Sequence, residues 1–504
     1  MKKLVAITLA VLFVGVMAAA AFATETTFEG QYRVRAWSEW NFDKRAGYIV
    51  GDADPQYDGW FDQRFRLTIT HTRSEFLKAV VRFDIVEDTW GTQRPFRMNN
   101  NGHGLGIGSV VDLAYIEFAL PKIGTFTVGR FPLDFGNGLV YSSGGFWYGS
   151  DGLKWENTWG PVTVAAMYLK MFEVAGVVPP TNPYYNRDSN MWAADIKIAA
   201  TEKHLINLFG GVLTTNATWV PTYLSAGVPM GGGYHWAAMV NNYGGALSAD
   251  STWTIGFVGL AYTGNIADMI DIKAEYNRIM GSAKWNVAHT ALPVGVDDTW
   301  SVEGWNAFLD VSYYNDLFRV GLAFVMGSGA KHDWNLTSLH NINMTNIRED
   351  NFWWGNVVGN GYGGGNSIYW GPGFGGNAEN LTSVKLYFEI YPMEKLSLNA
   401  AVIWAKWTDP VGTNPLVDPT AFPAYPHPAN WYSHYGFQSW TASDDLGWEI
   451  DFGFNYEIME GLDYTFGAGV LFTGDSWDYV NAANGTREEW GPIWSISNVL
   501  KYTF

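Results

Sequence analysis

Six cations recur in same-parity pairs early in the chain: Arg33 and Arg35, Arg64 and Arg66, then Lys78 and Arg82. A guanidinium stays charged at physiological pH, so its chemistry is ion pairing and anion recognition rather than proton transfer. Far along the chain, Glu275 and Asp310 stand at inward-directed positions of alternating segments. If these groups line opposite walls of one space, they set up a transverse field of the kind that orients polar or anionic solutes. The same arginines, paired by Glu29, Asp62 and Asp84, would instead simply keep a wall hydrated, and surface-like pairs contribute little. Both readings stand at this level.

Other chemistry has thinner support. The stretch GDADPQYDG places Asp52, Asp54, Gln56 and Asp58 at alternate positions, which invites a calcium site. It has Tyr57 where an EF-hand needs glycine and Gln63 where it needs glutamate, so only a secondary loop-cation candidate at Asp52, Asp54 and Asp58 is left. Of the nine histidines, His71 and His204 fall beside short connections, and His332, His427 and His434 fall in long ones. No G-x-S-x-G or H-E-x-x-H occurs. A Ser–His pair on neighbouring strands stays open; the expectation is no catalytic residue, no enzyme and no cofactor. The absence of cysteine excludes disulfides, thiolate metal sites, thiol catalysis and covalently attached c-type haem.

The elements that must position these groups are strands. In FEGQYRVRAWSEW (28–40) the even positions Phe28, Gly30, Tyr32, Val34, Ala36 and Trp40 are apolar or small, and the odd ones carry Glu29, Gln31, Arg33, Arg35 and Glu39. That is a period of two. It recurs with Leu77, Ala79, Val81, Phe83 and Ile85, with Ile270, Ile272, Ala274 and Tyr276, and with Phe318, Val320, Leu322, Phe324 and Met326. Val384, Leu386, Phe388 and Ile390 repeat it, as do Trp448, Ile450, Phe452, Phe454 and Tyr456. The apolar parity of these strands is expected to be free of charge, since a charge facing the bilayer midplane costs about 2–4 kcal/mol.

Spacing supplies a second signal. Short links at 72–75, 121–124, 159–161, 201–203, 264–268, 315–316, 392–395 and 459–461 alternate with long ones, the longest near 216–251, 329–381 and 407–445. A soluble sandwich or propeller would have loops of similar length at both ends and an apolar interior. The alternation instead predicts an all-β fold, a transmembrane antiparallel up-and-down β-barrel of about 18 strands with short periplasmic turns and long extracellular loops. The apolar face then meets lipid, and the charged face lines a water-filled or plugged lumen. With strands near 28–40, 60–71 and 77–85 side by side, the arginines form one patch, and Glu275 and Asp310 lie diametrically across.

Composition agrees. The 504 residues are 47% hydrophobic and 16% aromatic but only 16% charged, against a usual charged share of about a quarter. Lys2 and Lys3, an apolar run from Leu4 and Ala21-Phe22-Ala23 read as a signal peptide over 1–23, leaving 24–504 as the barrel. The alternative of an N-terminal membrane helix is set aside because the run decays into alanines and no polar linker follows. The net charge is −18, or −20 without Lys2 and Lys3, which disfavours nucleic acid as a partner.

Three stretches also resemble a known family. IWSISNVLKYTF, ending at Phe504, resembles the terminal strand by which the insertion machinery recognises Gram-negative outer-membrane proteins. TFTVGRFPLDFGNGLVYS (125–142) resembles the G-R-x-x-x-x-F-G segment of bacterial porins, and 151–170 the hairpin after it. The layout is similar to 18-stranded barrels of the alginate-export and carboxylate-channel kind. The resemblance implies an outer-membrane porin passing small hydrophilic solutes, with outer-membrane lipid around it, anion preference and homo-oligomerisation left open. The alternatives are a barrel sheath of a porin–cytochrome electron conduit and an exporter of alginate-like polyanions. Segment 132–150 has the glycine and aromatic content of a loop folded into a pore, although an outward loop is as compatible. Aromatic and amide residues in 360–377 and 420–438 could stack on sugars or cap the barrel mouth.

Overall fold

The computed structural model describes residues 25–41, 57–90, 110–143, 149–172, 189–215, 252–284, 299–328, 334–335, 355, 357, 381–408, 443–475, 479–480, 487–489 and 491–504. The expected leader, Asp52, Asp54, His332, His427, His434 and the aromatic stretches 360–377 and 420–438 lie outside them, as does the side chain of Asp58. Eighteen strands form the wall. They are β1 Glu25–Trp40, β2 Tyr57–Ser74, β3 Leu77–Thr89, β4 Val110–Leu120, β5 Gly124–Phe131 and β6 Ser150–Trp159. Next come β7 Val162–Phe172, β8 Ser189–Thr201, β9 His204–Thr215, β10 Thr252–Ile266, β11 Ile270–Lys284 and β12 Thr299–Tyr314. The wall ends with β13 Phe318–Gly327, β14 Leu381–Met393, β15 Leu396–Trp407, β16 Asp445–Met459, β17 Leu462–Thr473 and β18 Ile493–Thr503.

Each strand pairs antiparallel with the next, and β1 pairs with β18 from Gln31 opposite Thr503 to Trp40 opposite Trp494, so the sheet closes on itself. Closure satisfies the backbone of every wall strand and abolishes sheet edges, the condition for strands to cross a bilayer. The connections expected to be short are tight turns, from Glu75–Phe76 between β2 and β3 to Glu460–Gly461 between β16 and β17.

The outward face is banded. Trp159, Tyr313, Tyr456 and Tyr502 are exposed toward the short-turn end, and Phe61, Trp90, Trp192, Trp448, Phe472 and Trp494 toward the long-loop end. Between them the exposed residues are mainly aliphatic, as at Ile116, Val128, Leu153, Leu208, Val258, Leu260, Leu322, Leu386, Val402 and Ile450, with Tyr276 and Phe452 among them. Aromatic rings at two levels with an aliphatic belt between them match the two interfaces and hydrocarbon layer of a membrane. The rule of an uncharged outward parity fails at several positions toward the long-loop end, among them Lys406 of β15, which pairs with Asp444 at 2.8 Å. Arg278 of β11 shares the parity of Tyr276 and Met280 and pairs with Glu303 of β12 at 2.8 Å, while Arg130 pairs with Asp151 at 2.8 Å beside Val128 and Leu153. Both pairs sit toward the long-loop ends of their strands, where each charge has an opposite partner and the cost of facing lipid falls.

A second correction concerns the inward face, which is not charged throughout. On β7 to β11 it presents Met167, Leu169, Met191, Phe209, Ile255, Phe257 and Ile279, all buried. A second apolar cluster joins Phe308, Val325, Ile403, Trp407, Leu446 and Leu471 on β12, β13 and β15 to β17. Inward apolar side chains need a cover, and the chain supplies it from its own connections.

Candidate functional site

Residues 132–143, between β5 and β6, turn into the barrel. Leu133–Asp134 pairs antiparallel with Ser142–Ser143, and Phe135 N–H donates to Tyr141 O at 3.0 Å, making a small hairpin with its tip at Gly136, Asn137 and Gly138. The tip crosses to the far wall. Gly136 N–H donates to Asn207 Oδ1 at 3.0 Å, Asn137 N–H donates to Glu275 Oε2, and Asn137 Nδ2 donates to Ala274 O at 3.1 Å. Gly136 adopts φ of 60°, and a Cβ there would meet the Glu275 carboxylate and the Phe209 ring, so glycine is needed for both conformation and approach. Phe135 is fully buried against Tyr141, Phe209 and Phe257, with ring centroids 5.7, 5.7 and 5.3 Å away. Burying such a ring contributes about 1.5–3 kcal/mol. The inward option for this segment is therefore the one the chain adopts.

The base of the hairpin is held by hydroxyls. Tyr141 Oη and Ser143 Oγ lie 2.7 and 2.6 Å from Ser150 Oγ. Burial pushes the Tyr141 phenol up to about 12, so it serves as a neutral hydrogen-bonding group. A second inward piece contains Gly355 and Val357. Val357 N–H donates to Glu449 Oε1 at 2.7 Å, and a Cβ on Gly355 would crowd Ile403 and Glu449. Val357 and Leu139 belong to one apolar cluster, so both inward segments pack on the wall of β12 to β17.

Glu275 and Asp310 do face inward, from separate networks. Glu275, 3% exposed, also accepts from Asn277 Nδ2 at 2.7 Å. Its carboxylate holds loop backbone rather than standing free in the lumen. Asp310 accepts from Tyr387 Oη at 2.8 Å, with Lys385, Glu449 and Asp451 nearby.

The opposite side, β1 to β4, gathers all five predicted arginines. Arg33 lies across from Arg64 in the β1–β2 register, and both are buried, as are Arg35 and Arg66. Carboxylates are threaded between them. Arg35 Nε donates to Asp62 at 2.8 Å, and the same carboxylate takes Trp37 Nε1 at 3.0 Å. Arg66 grips Asp84 through two bonds of 2.6 and 2.9 Å, and Arg64 donates to Gln31 Oε1 at 2.8 Å. Asp112 completes the cluster, accepting from Arg82 Nε and lying 3.4 Å from Arg66 Nη2. Like charges on adjacent strands would repel by several kcal/mol in a partly desolvated site, and the interleaved acids offset this. Lys78 lies lower and pairs with Glu117 at 2.8 Å.

Asp112 was not legible from parity. Opposite it the β3–β4 register jumps from Arg82/Leu113 to Phe83/Val111, so Asp112 is the extra residue of a bulge that aims it inward. Leu446 is turned inward by a similar jump between β15 and β16. The amides Asn207, Asn277 and Asn306 were also missed; Asn306 links Asn277 at 2.7 Å to Leu139 O at 3.5 Å, carrying the hairpin's anchorage onto β12. Only Asn207 carried a signal of position, a polar residue beside the inward Phe209 of β9; Asn277 and Asn306 stand on inward faces that also carry Glu275 and Asp310. His71 bonds Thr26 at 3.0 Å and His204 bonds Tyr262 at 2.7 Å, both beside turns and away from this site. Among the described residues no group of three potential metal ligands converges.

Toward the short-turn end the inward face is polar and half-exposed, as at Lys78, Glu117, Asp271, Arg319, Asp463 and Lys501. Higher up it is buried, as at Arg33, Glu449, Leu471 and Ser495. The inward face is thus half-exposed and charged toward the short-turn end and buried toward the level of the hairpin and the arginine cluster.

No protein-family model matches the chain, and no curated protein does. Among solved structures it is similar to Pseudomonas aeruginosa OccK8 (OprE), at 11% identity over 96% of this chain and 99% of that one, with a TM-score of 0.48. It is also similar to Acinetobacter baumannii OccAB4, at 11% identity over 96% and 98% with a TM-score of 0.46. Pseudomonas aeruginosa OccD3 (OpdP) is 11% identical over 96% and 92%, with a TM-score of 0.46. At such identities and TM-scores a likeness says nothing of what passes through this barrel.

Proposed function

We propose that this chain is a porin of the Gram-negative outer membrane, passing small hydrophilic solutes with a bias toward anions. The observation that carries the reading is the inward hairpin 132–143, seated on Glu275, Asn207 and the apolar inner wall, with the arginine cluster of β1 to β3 across the lumen. Selection by such an opening needs no bond chemistry: size excludes, and fixed charge biases what enters. The banded exterior supports residence in a membrane, and the polar inward face toward the short-turn end supports aqueous access. Glu275 and Glu449 also hold backbone N–H groups of the inward segments, so the acidic wall both anchors those segments and stands opposite the arginines.

The chain's own residues occupy much of the apolar side of the lumen, which favours a porin over a sheath around a haem protein. Carboxylates beside Arg35, Arg66 and Arg82 favour orientation of a passing solute over the tight grip a polyanion exporter would need. The test is conductance of the refolded mature chain in planar bilayers, with cation/anion reversal potentials. Stable open steps with anion preference support the reading; a folded barrel without conductance overturns it.

A further inference from the structure

The seam where the barrel closes holds a feature that permeation does not use. The last residue, Phe504, continues the β1–β18 ladder: Gly30 N–H donates to Phe504 O at 2.8 Å, and Phe504 N–H donates to Gly30 O at 3.0 Å. Its ring lies on the outward face, over Gly30. A Cβ on Gly30 would fall within that ring, so the seat exists only because β1 has no side chain there. The ring stacks on Tyr502 at 5.6 Å and reaches across β1 to Phe65 of β2, 6.5 Å away. Phe65 in turn contacts Tyr32 edge-on at 6.3 Å. On its other side the end of β18 is held by Thr503 N–H donating to Gly461 O at 2.7 Å.

We infer that Gly30 is a receptor site for the C-terminal aromatic ring, and that seating Phe504 there selects the register in which the first and last strands close the barrel. A slip of two residues would keep every side chain on its proper face, so facing alone does not exclude it. Such a slip would bring Phe504 opposite Phe28 or Tyr32, where a ring already stands on the same face. Gly30 is the one outward position of β1 from Phe28 to Ala36 without a side chain, so the ring fits at one register and clashes at its neighbours. An aromatic laid over a cross-strand glycine is a known register device in sheets.

The chain has no cysteine, so engineered pairs report the register directly. Thr503→Cys is combined in turn with Gln31→Cys for the native register, and with Glu29→Cys or Arg33→Cys for slips in either direction. Oxidative cross-linking is measured on the folded mature protein by its heat-modifiable migration. The parent should link 503 to 31 almost alone. With Gly30→Leu the ratio of native to slipped links should fall about fivefold, the scale of one cross-strand aromatic pair. Adding Phe504→Ala to Gly30→Leu should restore the native ratio, because the leucine then fills the space the ring has left. Should Gly30→Leu fold poorly, the same addition should rescue the yield of folded barrel. An unchanged ratio in Gly30→Leu, or no rescue of ratio or yield by Phe504→Ala, overturns the inference.

Discussion

Replacing Glu275 with alanine should unseat the inward hairpin without opening the wall. Glu275 supplies the charged acceptor for Asn137 N–H and for Asn277 Nδ2 at 2.7 Å, and its own residue is buried. Hydrogen bonds to a charged group contribute about 1.5–3 kcal/mol net, so their loss shifts the detached-to-seated ratio by about 10- to 150-fold. The remaining anchors, Gly136 to Asn207 at 3.0 Å and Asn137 to Ala274 at 3.1 Å, stay in place, as does the packing of Phe135. Detachment should therefore be intermittent rather than complete. The assay is single-channel recording of the refolded variant, with heat-modifiable migration confirming an intact barrel. Excursions to a larger conductance should lengthen or multiply, and Glu275→Gln, which keeps an acceptor oxygen, should show fewer. Steps of parental size and noise from folded Glu275→Ala would refute the role given to this carboxylate.

Asp112→Ala should destabilise the barrel by about 3–5 kcal/mol, since it strips a buried acceptor from Arg82 and Arg66, and the shift should register in urea or thermal unfolding in detergent. The same variant should conduct with stronger anion preference, because the guanidinium charge it uncovers remains. Ile450→Arg places a cation on the outward face between the aromatic bands and should cost about 2–4 kcal/mol in reversible folding into bilayers. If that cost is absent, the wall has been assigned inside out.

Which face of each strand meets lipid was legible because the period of two leaves little choice once one parity is rich in aromatics and aliphatics. Trp448, Ile450 and Phe452 all face outward as that rule requires. The alternation of short and long links likewise led to eighteen closed strands. Three kinds of feature escaped. Bulges break parity, so Asp112 and Leu446 turn inward against the count. Charges near the rim are tolerated in pairs, so Arg278 with Glu303 interrupts an apolar face. Contacts between a connection and a distant strand, such as Asn137 on Glu275, have no local signature at all. One hint was present: β10 is apolar on both faces, with Ile255 and Phe257 inward and Val258 and Leu260 outward. A strand apolar on both sides is buried on both sides. Its two apolar faces therefore pointed to something packed inside the barrel.

The reading of the lumen as a solute path biased by arginines is tested most directly by reversal potentials in planar bilayers. The mature chain is compared with a variant in which Arg33, Arg35, Arg64, Arg66 and Arg82 are all glutamine. Open steps in both, with anion preference in the parent that falls or inverts in the variant, are the predicted result. Equal selectivity in two folded, conducting barrels would contradict it, and the arginines would then be no more than a hydrated wall.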